Sequence, residues 1–231
     1  MSRKFALFGS GNTGSKIPEL LRADEEYTFF NRSNPPTTEK LAGYDAIICF
    51  VPGPVLMEHL DCLASTGIPV VSGATAIEWP ENWDETLKEL GVTWVWADNF
   101  ALGMNIVKVL IEQMSALSSL YHEPEFQIHE VHHVNKLDAP SGTAKRWHEW
   151  LRHEANMSYD RVDDVVGQHE LTLNTEFETI TLRHEAKDRR IFAHGALWAC
   201  RQLIDGQLPH GLLPLEFLTS MQRQGEYYVS N

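Results

Sequence analysis

Short runs of apolar residues alternate with helix-like segments over the first hundred residues of the chain. The runs predict five strands, over residues 5–8, 27–30, 46–51, 69–72 and 92–97, and the first is typical of a strand buried on both faces of a parallel sheet. Helices are predicted after the first strand as far as Leu21, and over residues 56–65 and 83–90. This alternation predicts an α/β fold that begins with a Rossmann-like, open parallel sheet over residues 1–100.

The pattern changes after residue 100. We predict a helix, a strand, an amphipathic helix and a long strand or hairpin, over residues 102–120, 126–133, 143–155 and 171–184. Strands and helices no longer alternate one for one, which predicts a second, α+β substrate domain on an open mixed sheet, over residues 101–205. Residues 206–231 are predicted to form a C-terminal tail that packs back on the first domain.

Composition and charge narrow the class of protein. A chain of 231 residues, 43% hydrophobic and 22% charged, is typical of a soluble globular protein. The net charge of −13 argues against a nucleic-acid partner, which would need clustered Lys and Arg. No apolar window approaches the ~18 residues of a membrane span, and the three cysteines form no disulfide framework. We therefore expect a cytoplasmic protein with no membrane or nucleic-acid partner.

A glycine-rich turn follows the first predicted strand and fits the pattern G-x-G-x-x-G; its residues are Gly9, Ser10, Gly11, Asn12, Thr13 and Gly14. Such glycines allow a tight turn and the close approach of a pyrophosphate to backbone N–H groups. The turn predicts that residues 1–100 form a dinucleotide-binding domain, with an ordinary glycine-rich turn as the alternative.

The end of the second predicted strand bears on the choice of cofactor. An NAD-binding chain places a carboxylate about 20 residues beyond its glycines to hold the ribose 2′-hydroxyl. Here the strand runs instead into Asn31, Arg32 and Ser33. An arginine beside a serine suits the additional phosphate of NADP, which favours NADPH over NADH. The alternative is a solvated loop arginine.

The segment from Glu130 to Thr143 combines groups that move protons with a possible anion site. His132 and His133 are adjacent on a predicted strand, so their side chains point to opposite faces. Lys136 follows in the loop. A histidine and a lysine that converge on a substrate can share the delivery of a proton, which indicates an enzyme.

The same segment ends in Pro-Ser-Gly-Thr, just where the amphipathic helix is predicted to begin. Ser141 is a candidate N-cap, and the N–H groups of Gly142 and Thr143 would form a cradle for a carboxylate or phosphate. Three alternatives remain: Ser141 only caps its helix, the histidines are structural, or they bind a metal together with His129. We expect no metal, because adjacent histidines on a strand splay apart and no further ligand closes the set.

Residues 130–144, Glu-Val-His-His-Val-Asn-Lys-Leu-Asp-Ala-Pro-Ser-Gly-Thr-Ala, closely resemble the signature of the dihydrodipicolinate reductase family. These are the 4-hydroxy-tetrahydrodipicolinate reductases of lysine and diaminopimelate biosynthesis. Residues 73–75 resemble the family's cofactor turn, residues 97–105 its hinge, and residues 184–196 its late substrate-domain motif.

The resemblance implies roles for these residues. His132 would be the proton donor or acceptor and Lys136 a second proton donor, while His133, Ser141, Gly142 and Thr143 would bind the carboxylates of a small dicarboxylate substrate. Arg189 is a further candidate for substrate binding. NADPH or NADH would lie against the glycine-rich turn, Arg32 and Ser33, and further cofactor contacts would come from Gly73, Ala74, Thr75, Ala97, Asp98, Asn99 and Phe100.

The implied reaction transfers a hydride to ring C4 with loss of the 4-hydroxyl as water. The family's second domain closes over its substrate, and a homo-oligomer, a tetramer by resemblance, is expected.

The cofactor-binding segments depart from the family pattern. The family usually has G-x-x-G-x-x-G with an Arg-Met pair where this chain has Asn12 and Thr13, and Ala76 replaces a glycine at the end of the cofactor turn. The third strand ends in Cys49-Phe50-Val51, where Asp-Phe-Thr is common. Two other functions stay open: a different NADP-dependent oxidoreductase of a small acid, or a nucleotide-binding module without turnover.

Overall fold

A computed structural model describes residues 2–224, with side chains as far as residue 221. Within these residues the chain divides into two compact units. One consists of residues 2–101 together with 189–224, and the other of Leu102–Asp188.

The described residues form ten strands and eight α-helices. The strands are β1 (Arg3–Phe8), β2 (Glu25–Phe30), β3 (Ala46–Cys49), β4 (Val70–Ser72), β5 (Thr93–Trp96), β6 (Glu125–His132), β7 (Ala155–Arg161), β8 (Gly167–Asn174), β9 (Thr179–Ala186) and β10 (Gly211–Pro214). The helices are α1 (Thr38–Leu41), α2 (Gly53–Met57), α3 (Leu60–Ser65), α4 (Trp83–Glu89), α5 (Gly103–Leu117), α6 (Gly142–Leu151), α7 (Arg190–Asp205) and α8 (Leu215–Gln224). None of these helices is long and apolar enough to cross a membrane.

The first unit contains a six-stranded parallel sheet in the order β10-β5-β4-β3-β1-β2. Phe5, Ala6 and Leu7 on β1 and Ile47 on β3 are fully buried, as expected for strands covered on both faces. The predicted Rossmann-like parallel sheet is thereby confirmed. Since β1 lies between β2 and β3, the strand order reverses at β1. Open α/β sheets bind their ligands at such a reversal point, beyond the carboxyl ends of the strands.

The second unit contains a four-stranded mixed sheet in the order β7-β6-β8-β9. β6 pairs with β7 in parallel and with β8 antiparallel, and β8 and β9 form an antiparallel hairpin. Phe126, Ile128, Glu130 and His132 occupy the buried positions of β6 and alternate with exposed or half-buried ones. The predicted α+β unit with a mixed sheet is confirmed, and β6 contributes two polar side chains to a buried face.

The prediction of a helix after the glycine-rich turn is wrong. Two short 3₁₀ turns occur instead, over Gly14–Lys16 and Pro18–Leu20. Pro18 lacks the N–H that a continuous helix would need, and among these residues and Ile17 only Gly14 and Ile17 are buried. The stretch therefore offers no apolar stripe around which a longer helix could pack.

Five of these strands and helices were not predicted from the sequence: α1, β7, α7, β10 and α8. α7 packs against β3 and β4, so the structural division of the chain lies after residue 188, whereas the sequence-based division lies at residue 205. β10 adds a sixth strand beside β5, and α8 follows it directly. Both belong to the first unit, while residues 225–231 of the predicted tail lie outside the described residues.

Candidate active site

The candidate site of the second unit lies where β6 ends and α6 begins. β6 ends at His132 and α6 starts at Gly142, so the loop 133–141 joins them. Ser141 caps the helix as predicted, since its Oγ accepts the N–H of Ala144 at 3.2 Å. The loop thus connects a buried strand to the positive end of a ten-residue helix.

The predicted anion cradle already faces a carboxylate of the chain itself. Lys136 Nζ lies 2.7 Å from Asp138 Oδ1. The hydrogen bond from Lys136 is the main cause that lowers the pKa of Asp138, and the N–H of Gly142 contributes in the same direction. The space in front of Gly142 is open, with no atom within 4 Å of the place where a Cβ would stand. A bound carboxylate would compete with Asp138 for these donors.

The two adjacent histidines differ in environment. His132 is 7% exposed and lies on the buried face of the sheet, whereas His133 is half-buried and falls beyond the end of β6. The His132 ring packs edge-on against His169 of β8, with 5.0 Å between ring centroids. Burial is the first cause that lowers the pKa of His132 to about 4, and a charge on His169 acts in the same direction. His132 is therefore a neutral imidazole at neutral pH and can accept a proton.

A fully buried carboxylate, Glu130, lies beside His132. Its Oε1 accepts the backbone N–H of Ser141 at 2.9 Å and Nη2 of Arg161 at 3.3 Å. Its Oε2 lies 3.5 Å from Nδ1 of His132 and 3.5 Å from Nε2 of His169. Burial would raise the pKa of Glu130, but its contacts with His169 and Ser141, and the positive charge that His132 gains at acidic pH, outweigh burial and hold the pKa at about 2. Glu130 is therefore an anion.

Glu130, His132 and His169 bring three potential metal-ligand atoms within 4.8 Å of one another. The set differs from the one considered from the sequence, because His129 lies on the other face of β6, with Nδ1 2.9 Å from Ser158 Oγ. The guanidinium of Arg161 already balances the buried carboxylate. The charge on Glu130 thus has a partner within the protein.

Glu130, Arg161 and His169 had no role in the sequence-based site. Glu130 could have been found from the sequence, because it shares the period-two face of β6 with Phe126 and Ile128, where a charge is unexpected. Arg161 and His169 reach the site through the pairing of β7 and β8 with β6, which no local pattern encodes.

In the first unit, the glycine-rich turn leaves the carboxyl end of β1 at the reversal point of the sheet. Gly9 has φ of +106°, and a Cβ there would stand 2.3 Å from the carbonyl oxygen of Phe50. A Cβ on Gly14 would stand 2.1 Å from the carbonyl oxygen of Gly9, whereas Gly11 has no atom within 4 Å of that position. The outer glycines are required by close packing, and the middle one leaves the backbone open to a phosphate. The turn therefore fits a dinucleotide.

Other predicted cofactor segments also follow the carboxyl ends of strands of this sheet. Gly73 follows β4, and a Cβ there would stand 2.2 Å from the Phe50 ring, which also contacts the Phe100 ring at 5.9 Å between centroids. Ala76 has φ of +54°, a left-handed conformation that favours glycine, which is the residue that the family usually has there. Asn99 accepts the N–H of Ala101 at 2.8 Å.

Arg32 lies exposed in the loop after β2. Asn31 Oδ1 shapes this loop by accepting the N–H of Ser33 at 2.9 Å and the Ser33 hydroxyl at 2.7 Å. Lys40 Nζ donates to Asn34 Oδ1 at 3.0 Å and adds a second positive charge to the loop. Arg189, the further substrate candidate, is exposed and directly precedes α7 in the first unit.

Comparisons with known proteins agree with this architecture. Residues 103–216 match the family model described as dihydrodipicolinate reductase, C-terminus. The 4-hydroxy-tetrahydrodipicolinate reductase of Alkaliphilus metalliredigens is 31% identical, and the match covers 87% of this chain and 93% of that protein. The Methanospirillum hungatei enzyme of the same name is also 31% identical, over 71% of this chain and 74% of that one.

A solved structure of dipicolinate-bound dihydrodipicolinate reductase from Paenisporosarcina sp. TG-14 has the same fold. Its TM-score is 0.74 at 18% identity, over 94% of this chain and all of that one. Together with the 31% identity to reductases over most of their length, this establishes the relationship. The chain belongs to the dihydrodipicolinate reductase family.

Proposed function

We propose that the chain reduces 4-hydroxy-tetrahydrodipicolinate to tetrahydrodipicolinate, with loss of water, in diaminopimelate and lysine biosynthesis. One observation carries the proposal at the level of the site: a neutral buried imidazole, a lysine ammonium and the open N-terminus of α6 are joined by a single nine-residue loop. A base, an acid and a carboxylate site within one segment suit a small dicarboxylate whose reduction also requires proton transfer.

Each group has a role in this scheme. His132 exchanges a proton with the substrate through a neutral ring, and Lys136 donates a second proton. His133, Ser141, Gly142 and Thr143 hold the substrate carboxylates, which displace Asp138 from Lys136 and Gly142. Arg189 is a further substrate contact. A substrate bound in this way is held by charge and hydrogen bonds that its uncharged analogues lack.

The protein uses a nicotinamide cofactor, which supplies the hydride when bound. We propose that residues 9–14, residues 73–75 and residues 97–100 hold it, and that Arg32 and Ser33 contact the 2′-phosphate of NADPH. The exposed guanidinium of Arg32 and the absence of a carboxylate at residues 31–33 support this preference. The homo-oligomer and the cytoplasmic location stay predictions.

The direct test uses 4-hydroxy-tetrahydrodipicolinate generated fresh by the preceding synthase, because it is the substrate that the family consumes. Loss of NADPH or NADH absorbance that requires both the synthase product and this protein is the expected result. Turnover only with a different small acid would favour another oxidoreductase. Tight nucleotide binding with no turnover would favour a non-catalytic module and would rule the proposal out.

A further inference from the structure

Glu130 places a charged side chain in a buried position, which by itself lowers the stability of the fold. Its side chain is fully buried, and an ionised carboxylate in such a position is destabilising unless charges and hydrogen bonds surround it. An apolar residue at the same place on β6 would continue the packing of Phe126 and Ile128. The contacts of each carboxylate oxygen indicate what Glu130 does instead.

The first oxygen anchors the loop that carries Lys136. Oε1 accepts the N–H of Ser141 at 2.9 Å and Nη2 of Arg161 at 3.3 Å. The same guanidinium donates from Nη2 to the carbonyl of Asp138 at 2.7 Å and from Nε to the carbonyl of Lys136 at 3.4 Å. One buried charge pair therefore fixes three backbone positions between His133 and α6.

The second oxygen faces the imidazole of His132. Oε2 and His132 Nδ1 are both buried and lie 3.5 Å apart, and neither atom has a hydrogen-bond partner among the described residues. Nε2 of His169 lies at the same distance from Oε2 but also contacts the hydroxyl of Ser141 at 3.3 Å, so His132 Nδ1 is the ring nitrogen whose proton has only this carboxylate to face. With its proton on Nδ1 directed at this carboxylate, the ring leaves Nε2 as the nitrogen that exchanges protons. Gly167 lies on that side of the ring, and a Cβ there would stand 3.1 Å from Nε2. Carboxylates that orient a histidine act in this way, by fixing its tautomer and its ring position.

We propose that Glu130 is the positioning residue of the site: one oxygen holds the Lys136 loop through Ser141 and Arg161, and the other fixes the tautomer of His132. The inference rests on the proposed function for its kinetic consequences. Its structural part, the tautomer of His132 and the anchoring of the loop, is independent of the substrate.

The decisive variant is Glu130→Gln, which keeps the size of the side chain. Its amide oxygen can still accept the N–H of Ser141, but its NH₂ group turns the Nδ1 of His132 into an acceptor and moves the ring proton to Nε2. We expect kcat to fall about 100-fold, as for other residues that orient a catalytic group, with little change in the KM for the dicarboxylate. In ¹⁵N-histidine NMR spectra the His132 signals should change from the Nδ1–H to the Nε2–H pattern.

Arg161→Lys tests the role of Glu130 Oε1, and it provides an independent test if the Glu130→Gln variant fails to fold. Lysine keeps the charge beside Glu130, but its single ammonium nitrogen does not reproduce the planar fork with which Nε and Nη2 of Arg161 reach two separate carbonyls, so the loop loosens. We expect a KM for the dicarboxylate that is about tenfold higher, a smaller loss of kcat, and an unchanged His132 tautomer. Glu170→Gln is the matched control, because Glu170 lies on β8 and faces away from the buried side; its kcat and KM should equal those of the wild type.

The outcomes separate this inference from the proposed function. A wild-type protein without reductase activity contradicts the function, while the NMR comparison still tests Glu130. An active wild type with Glu130→Gln kinetics within twofold of it, or an unchanged His132 tautomer, overturns the positioning role. The positioning role is also overturned if the loss of activity in each variant is fully explained by the fraction of the protein that is unfolded. Stoichiometric binding of a metal ion through Glu130 would overturn it as well.

Discussion

The backbone N–H of Ser141 donates to the buried carboxylate of Glu130 at 2.9 Å, so an anion on β6 fixes the residue that caps α6. The contact spans eleven residues of sequence and joins a strand to a helix across the active-site loop. It also connects the two functions assigned to the segment, because Glu130 faces His132 and Ser141 begins the anion cradle.

Ser141→Ala should weaken both the helix and the cradle. Loss of the cap costs about 1 kcal/mol of stability, and loss of the hydroxyl should raise the KM for the dicarboxylate about tenfold. Thermal unfolding and steady-state kinetics measure the two effects. Thr37→Ala removes the corresponding cap of α1 and should lower stability without changing that KM. Equal KM values in both variants would show that Ser141 only caps its helix.

His132→Ala should lower turnover by about 100- to 10,000-fold, the usual range for a lost acid–base group, while cofactor affinity stays near normal. Single-turnover kinetics and cofactor titration give the two quantities. His129→Ala is the matched control on the opposite face of β6 and should retain full activity. A loss confined to cofactor binding would contradict the role assigned to His132.

Arg32→Ala should raise the KM for NADPH about tenfold or more and leave the KM for NADH nearly unchanged, because a charge-assisted contact to the 2′-phosphate is worth about 1.5–3 kcal/mol. The comparison needs both cofactors at one ionic strength. Arg22→Ala removes an exposed arginine near the other end of β2 and should change neither value. Equal effects of Arg32→Ala on both cofactors would show that Arg32 does not contact the phosphate.

Asp138→Asn should lower the KM for the dicarboxylate several-fold. The Asp138 carboxylate lies 2.7 Å from Lys136 and competes with the substrate for positive charge. Asp164→Asn removes an exposed carboxylate of the same unit that makes no such contact and provides the control. A raised KM would show that Asp138 orients Lys136 rather than competing with the substrate.

Stability should fall as the pH falls from about 6.5 towards 4. The pKa of His132 is lowered from 6.5 to about 4, so the unfolded chain binds a proton in this window that the folded protein does not. The contribution of the neutral His132 ring to the free energy of unfolding is fully present above pH 6.5, the pKa of the histidine in the unfolded chain. It is lost as the pH decreases towards 4. His132→Asn should flatten the pH dependence of urea unfolding between these values, and part of the slope should remain, because burial also lowers the pKa of His184. An unchanged slope would contradict the buried neutral ring.

The strands of the first hundred residues were predictable because the inner strands of the parallel sheet, such as β3 and β4, are short runs of buried residues. The helix through Leu21 failed for a local reason, since Pro18 and the lack of an apolar stripe outweighed the usual strand–turn–helix pattern. α7 was missed because its small buried residues, such as Ala193 and Gly195, give a weak apolar pattern for a helix that crosses back to the first sheet.

The sequence by itself determined the family, the parallel sheet, the open turn at Gly11 and the cap at Ser141, because each depends on residues close together in the chain. Only the tertiary structure decided that His132 is buried and neutral and that Glu130 lies between it and Arg161. The physical reason is strand pairing: β7 and β8 bring Arg161 and His169 to β6 across 31 and 39 residues, a distance over which no local pattern carries information.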